Sequence, residues 1–375
     1  MAEREGPLLT RCLADVGRLP ELELAQWDLL IRQGRRAGLL GRLHALAEAS
    51  GLLERVPEQP RAHLQAARTE ADRVNRTACW EVGQVADALA PIGVPVVVLK
   101  GSAYALCGLQ AGQGRVFADL DILVPKGAIE EAEQRLQGHG WLSTHLDPYD
   151  QRYYRRWMHE IPPMRHMHRQ TNLDVHHGLL PETVRHRPDP ALLLAEAEPV
   201  DGLDEVYVLS PRDMWLHGAA HLFHEGEFHN ALRDLSDLDR LSREFGGREG
   251  FWEGLVERAR ALNLGRPFSH AVRHLVRVLG TPIPAPVMEA AAAQAPPAPV
   301  RMLLDRLFEA AFIPLHASCD SLSGDFRRWL LYLRSHAIRM PPHLLLPHLA
   351  YKGLVKPVKE WREERARRGA GLDLP

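Results

Sequence analysis

Apolar side chains recur at helical spacing through the first part of the chain. Across positions 20–53 they fall at Leu22, Leu24, Trp27, Leu30, Leu39, Leu43 and Leu46, which predicts two helices broken near residues 34–38. A longer helical pattern follows Pro60 through Leu64, Ala67, Val74, Trp80, Val82, Val85 and Leu89, and stops at Pro91-Ile92-Gly93.

The period then changes. Residues 94–99, Val-Pro-Val-Val-Val-Leu, form a short β-branched run bounded by turn residues, as expected of a buried strand. Lys100-Gly101-Ser102 closes it, a short helix is expected over 103–109, and the glycine-rich stretch 110–114 reads as a flexible loop. Further strands are expected at 117–124, 172–176 and 206–209, with a helix over 129–136. From Ser210 the pattern is helical: Ser210-Pro211 is a helix start, and helices are expected over 213–224, 231–245 and 251–262, with more beyond the Ala/Pro-rich break at 282–299. The fold expected is α+β: a helical N-terminal segment (1–90), a core with a small mixed sheet (91–210) and a helical C-terminal domain (211–375).

Bulk properties narrow the function classes. The chain has 375 residues, 45% hydrophobic and 25% charged, with a formal net charge of -2. A protein that tracks nucleic-acid backbone normally carries an excess of Lys and Arg, so the balance disfavours a nucleic-acid partner. The four cysteines, Cys12, Cys79, Cys107 and Cys319, are far apart and suggest neither a zinc ribbon nor a disulfide framework. No stretch nears the roughly 20 apolar residues of a membrane span, and the N-terminus lacks an apolar signal core, so a cytoplasmic protein without a membrane partner is expected.

Chemistry concentrates in the central segment. Asp119 and Asp121 are two apart on an expected strand, so both carboxylates face one side while Leu120 and Ile122 face the other. Like charges so placed repel unless a cation lies between them, and hard oxygen donors at this spacing suit Mg²⁺, with Mn²⁺ as a substitute. Asp174, between Leu173 and Val175, is expected to project from a neighbouring strand and complete a three-carboxylate cluster. Gly101 and Ser102, at a strand-to-helix turn, offer a close backbone approach and a hydroxyl to phosphate, while Lys100 and Arg115 can meet its charge.

This succession resembles the DNA polymerase beta-like nucleotidyltransferase superfamily, and more narrowly its bacterial family of uncharacterised nucleotidyltransferases. The matching residues are Val96-Val97-Val98-Leu99-Lys100-Gly101, Gly114-Arg115, Asp119-Leu120-Asp121-Ile122-Leu123-Val124 and Asp174-Val175-His176. The likeness spans residues 8–245, including Trp215-Leu216-His217 and Arg233-Asp234-Leu235-Ser236-Asp237-Leu238. It implies two-metal transfer of a nucleoside monophosphate from a nucleoside triphosphate to a small-molecule, peptide or protein acceptor. On this chain Gly101 and Ser102 would cradle the triphosphate, Asp119 and Asp121 would bind both metals, and Asp174 would act on the acceptor through one of them. His176 is a candidate second-shell or substrate residue. The gap between Ser102 and Asp119 is long for the superfamily, and His177 stands where an aromatic residue is more usual.

Plainer readings exist for each residue. Asp119 and Asp121 could be surface acids of an edge strand, Asp174 could pair with Arg165 or Arg169, Lys100 could reach solvent, and Arg115 could pair with Asp119. Two rival functions remain open: a catalytically degenerate nucleotide-binding regulatory module, and a metallohydrolase using His217, His221, His224 and His229 with Glu225. The histidines are read as packing residues, and the basic run at 352–368, interrupted by Glu360, Glu363 and Glu364, as a solvated terminal helix.

Overall fold

A computed structural model describes residues 6–351 apart from 225 and 227, so the basic run at 352–368 and Glu225 lie outside the described residues. Helices α1 (Leu8–Ala14), α2 (Leu24–Arg36), α3 (Leu40–Ala49) and α4 (Glu58–Leu89) precede the sheet. Helix α2 starts from a capping box in which Glu23 and Gln26 satisfy each other's backbone N–H groups, and the chain turns through left-handed Gly38 into α3. Helix α4 buries Leu64, Ala71, Ala78, Val82, Val85 and Leu89 on one stripe, which packs on α3 and reaches the sheet.

The central segment runs β1 (Val96–Val98), α5 (Lys100–Leu106), β2 (Asp119–Leu123), α6 (Ile129–Gly138), β3 (Trp141–Ser143), α7 (Pro148–Trp157), β4 (Met164–His166), β5 (Asn172–His176), α8 (Pro190–Ala195), β6 (Glu198–Pro199) and β7 (Val206–Val208). Its seven strands form one mixed sheet in the order β3-β4-β5-β2-β1-β7-β6. β2 is central, antiparallel to β1 and parallel to β5, and β1 is parallel to β7. All three valines of β1 are buried, as a strand covered on both faces requires.

Helices α9 (Pro211–His224), α10 (Ala231–Phe245), α11 (Phe251–Ala261), α12 (Gly265–His274), α13 (Ala285–Ala293), α14 (Ala298–Ala311), α15 (Leu322–Arg339) and α16 (Pro342–Ala350) complete the described chain. α9 packs against α10, α11 and α12 around Trp215, Phe223, Phe268 and Phe308. No helix among the described residues is long and apolar enough to cross a membrane.

Two local expectations are corrected. The helix after β1 starts at Lys100 rather than Ala103, because Lys100 takes a left-handed φ of 50° that turns the strand directly into the helix. The glycine-rich stretch 110–114 is not a free loop. Arg42 of α3 donates to the carbonyls of Gln110 and Ala111, Asn75 of α4 donates to Gly112 at 3.0 Å, and Glu244 of α10 accepts from the Gln110 amide. Gly114 lies backbone to backbone on Gly41: a Cβ at residue 114 would stand 2.1 Å from the Gly41 carbonyl.

Candidate functional site

The sheet register decides which acidic side chains meet. Asp121 pairs with Asp174 and Asp119 with Asn172 across the parallel β2–β5 ladder, so Asp119, Asp121 and Asp174 share one face while Leu120, Ile122, Leu173 and Val175 are buried on the other. His176, two residues beyond Asp174, faces the same way and its Nε2 donates to Asp121 Oδ1 at 2.9 Å. From the other side Lys100 Nζ donates to the same oxygen at 2.9 Å. Both contacts use Oδ1. Asp121 Oδ2, Asp119 and Asp174 carry no ion pair among the described residues.

The electrostatics follow from that crowding. Burial penalises the charge of Asp121, yet Lys100 and His176 more than offset it and hold the carboxyl well below the usual range. Burial also opposes a charged Lys100 and a charged His176, and Asp121 outweighs it in both cases, assisted at His176 by Glu160. Asp174 lacks such a partner: burial, followed by the negative charges of Asp121, Glu160 and Asp119, pushes its carboxyl up to about 8. A carboxylate cluster with more negative charge than its cations balance is what a divalent ion site looks like when only protein charges are counted.

Glu160 Oε2 lies 3.4 Å from His176 Nδ1, and donor atoms of His159, Glu160 and His176 lie within 4.8 Å of one another. His159 and Glu160 were not singled out from the sequence, where they have no periodic or motif signal, whereas His176, which reaches Asp121, was.

Arg115 does not pair with Asp119. It is buried, and its Nε donates to Asp237 Oδ2 at 2.6 Å, while Asp237 Oδ1 accepts from Arg42 Nη2 at 2.7 Å. One carboxylate of α10 therefore holds guanidinium groups from two distant parts of the chain. Gly101 makes room for this, because a Cβ there would stand 1.9 Å from Arg115 Nη1. Ser102, next to the cavity-lining Gly101, is buried and its Oγ has no hydrogen-bond partner among the described residues. Asp174 meets neither Arg165 nor Arg169, since Arg169 pairs with Glu81 at 2.8 Å.

These groups open on a cavity of about 560 Å³ between the sheet and α9–α10, lined by Lys100, Gly101, Arg115, Asp119, Asp121 and Asp174. Its far wall includes His221, His229, Arg233 and Asp234, with Arg233 donating to Asp234 at 3.0 Å. Asp234 and Asp237, three apart on α10, entered the sequence reading only as part of the family likeness and not as the counter-charge of Arg115. His217 is buried and held well below the usual histidine range by burial and then by Lys100. His224 lines a different cavity. Among the described residues His217, His221, His224 and His229 do not converge on a metal-binding point.

A family model described as uncharacterised nucleotidyltransferase matches residues 23–280, most of the chain. The chain belongs to that family. Comparison with curated proteins and with solved structures yields no match. The uncharacterised nucleotidyltransferase match begins in α2 and ends just after α12, so it takes in the N-terminal helices that pin the 110–114 stretch and the α9–α10 wall of the cavity as well as the sheet.

Proposed function

We propose that this member of the nucleotidyltransferase family moves a nucleoside monophosphate from a nucleoside triphosphate to a small-molecule, peptide or protein acceptor, using Mg²⁺ in a two-metal arrangement. The observation that carries this reading is the in-register pairing of Asp121 with Asp174, with Asp119 on the same face, at the wall of a cavity large enough for a nucleotide. Asp119 and Asp121 are the residues to hold both ions, and Asp174 the one on the acceptor side. When bound, the ions neutralise phosphate charge and clamp the attacking and leaving oxygens.

The chain's own groups supply the rest. Lys100, whose Nζ is held at the cavity wall by Asp121 Oδ1, would meet a phosphate oxygen as a point charge. Arg115, fixed by Asp237, presents a guanidinium of set orientation to the cavity beside the bare Cα of Gly101. His176 orients Asp121 through Oδ1 and leaves Oδ2 for a cation. Gly101 and Ser102 are the residues to cradle the triphosphate, Gly101 at the cavity wall and Ser102 buried next to it with an Oγ that meets no protein partner among the described residues. The formal net charge of -2 favours a compact acceptor over a long nucleic acid.

The test is divalent-metal-dependent pyrophosphate release from each of four nucleoside triphosphates, with mass spectrometry of the protein to reveal self-modification. Asp119→Ala and Asp121→Ala should each lower the rate by about 10²-fold or more. Wild-type rates in both variants would remove these carboxylates from the mechanism. Nucleotide binding that persists without metal and yields no pyrophosphate would instead favour a regulatory module.

A further inference from the structure

A second cavity, of about 750 Å³, lies beyond the C-terminal end of α9 and shares no lining residue with the first. Arg185, His186, His224, Arg260, Arg266 and Arg334 line it, and among the described residues no Asp or Glu does. Four arginines, exposed Arg185, Arg260 and Arg266 and half-buried Arg334, line one space without a carboxylate among the described residues, the reverse of the pattern at Arg42, Arg115 and Arg258, which each meet an aspartate.

Arg334 is the telling member. It is half-buried on α15, stacks over Phe308 at 5.2 Å, and donates to the Phe223 carbonyl at 2.9 Å. No acid lies within ion-pair distance of it among the described residues, and burial alone draws its guanidinium down to about 10. Arg185, Arg260 and Arg266 likewise make no ion pair among the described residues. A charge withdrawn from water without a counter-charge destabilises the fold, and an anion at this point would remove that penalty. Several convergent guanidinium forks match a ligand with several phosphoryl oxygens better than one with a single carboxylate. Pro267 and Ile338 add an apolar wall, so the space suits a phosphorylated organic molecule.

We propose that this cavity is a binding site for a small molecule bearing two or more phosphoryl groups, separate from the nucleotide cavity. The site requires no metal, because its own cations meet the charge.

The probe is inorganic tripolyphosphate, titrated calorimetrically into the full chain in EDTA at constant ionic strength. The wild type should bind it saturably, and Arg266→Gln, an exposed position whose loss leaves the fold intact, should weaken binding about tenfold. Arg334→Met should raise the melting temperature of the ligand-free protein and abolish the further rise that tripolyphosphate gives the wild type. Lys100→Ala should bind the probe as the wild type does. Absence of saturable binding, equal affinity in Arg266→Gln, or loss of binding in Lys100→Ala alone would each overturn the proposal. None of these outcomes depends on the transferase reading.

Discussion

At the scale of single residues the site turns on unequal treatment of two neighbouring aspartates. Asp121 is matched by Lys100 and His176, whereas Asp174 faces Asp121, Glu160 and Asp119 with no ion pair and is pushed up to about 8. Below that pH the Asp174 carboxyl holds a proton that a divalent ion must displace. Affinity for Mn²⁺ or Mg²⁺ should therefore rise by about tenfold per pH unit toward pH 8 and level off above it. Calorimetry in buffers of different ionisation enthalpy should register one proton released per ion bound, and Asp174→Asn should lose that release; an unaltered proton count in the variant would exclude Asp174 as the group displaced. Asp119 and Asp121 were legible from period-2 spacing and their apolar neighbours, whereas the place of Asp174 beside them is set by the β2–β5 register, which the spacing does not carry. Glu160 and His159 were not legible, since they reach the site from an irregular segment after α7 where spacing carries no geometry.

At the scale of elements, α3, Arg115 at the end of the 110–114 stretch and α10 are joined by one carboxylate. Asp237 accepts from both Arg42 and Arg115, and all three side chains are buried. Asp237→Asn would leave two buried guanidinium groups short of a counter-charge, and a loss of about 3–5 kcal/mol is expected in chemical denaturation. A loss below about 1 kcal/mol would mean that water or backbone carbonyls satisfy the arginines. Gly114→Ala should cost about 2–4 kcal/mol, because residue 114 has a φ of 67° and its Cβ would collide with the Gly41 carbonyl. Crystallographic or NMR evidence of unchanged packing in that variant would contradict the contact. The long helices and β5 were readable from their periodicity, and β5 was placed to the residue. The two- and three-residue strands β3, β4 and β6 were not, because they lack the β-branched run that marks the equally short β1. The rigidity of 110–114 was missed because its partners are supplied by residues far away in the chain.

At the scale of the whole molecule, the α+β architecture with helices before and after the sheet was visible in the change of hydrophobic period, while the contacts between those blocks were not. The helical C-terminal part also sets an acid limit on stability. His270 and His274 are buried, and burial together with neighbouring cations holds both down to about 3. The unfolded chain protonates them near pH 6.5 but the folded chain does not, so their contribution is fully present above about 6.5 and is lost progressively as the pH falls toward 3. Denaturation midpoints should fall between about pH 7 and pH 5, at about 1.4 kcal/mol per unit for each group as an upper bound. The double variant His270→Phe and His274→Phe should flatten that slope; a slope as steep as the parent's would assign the acid sensitivity to other residues.

The touch between Gly41 and Gly114 bears on how small a working version of this protein can be. An excised fragment starting at residue 91 would retain every carboxylate of the site, yet the stretch that delivers Arg115 would lose Gly41, Arg42 and Asn75 together. Trimming to the sheet would thus keep the three carboxylates and surrender the fixed orientation of Arg115. Any graft of this sheet onto another scaffold has to bring its leading helices along.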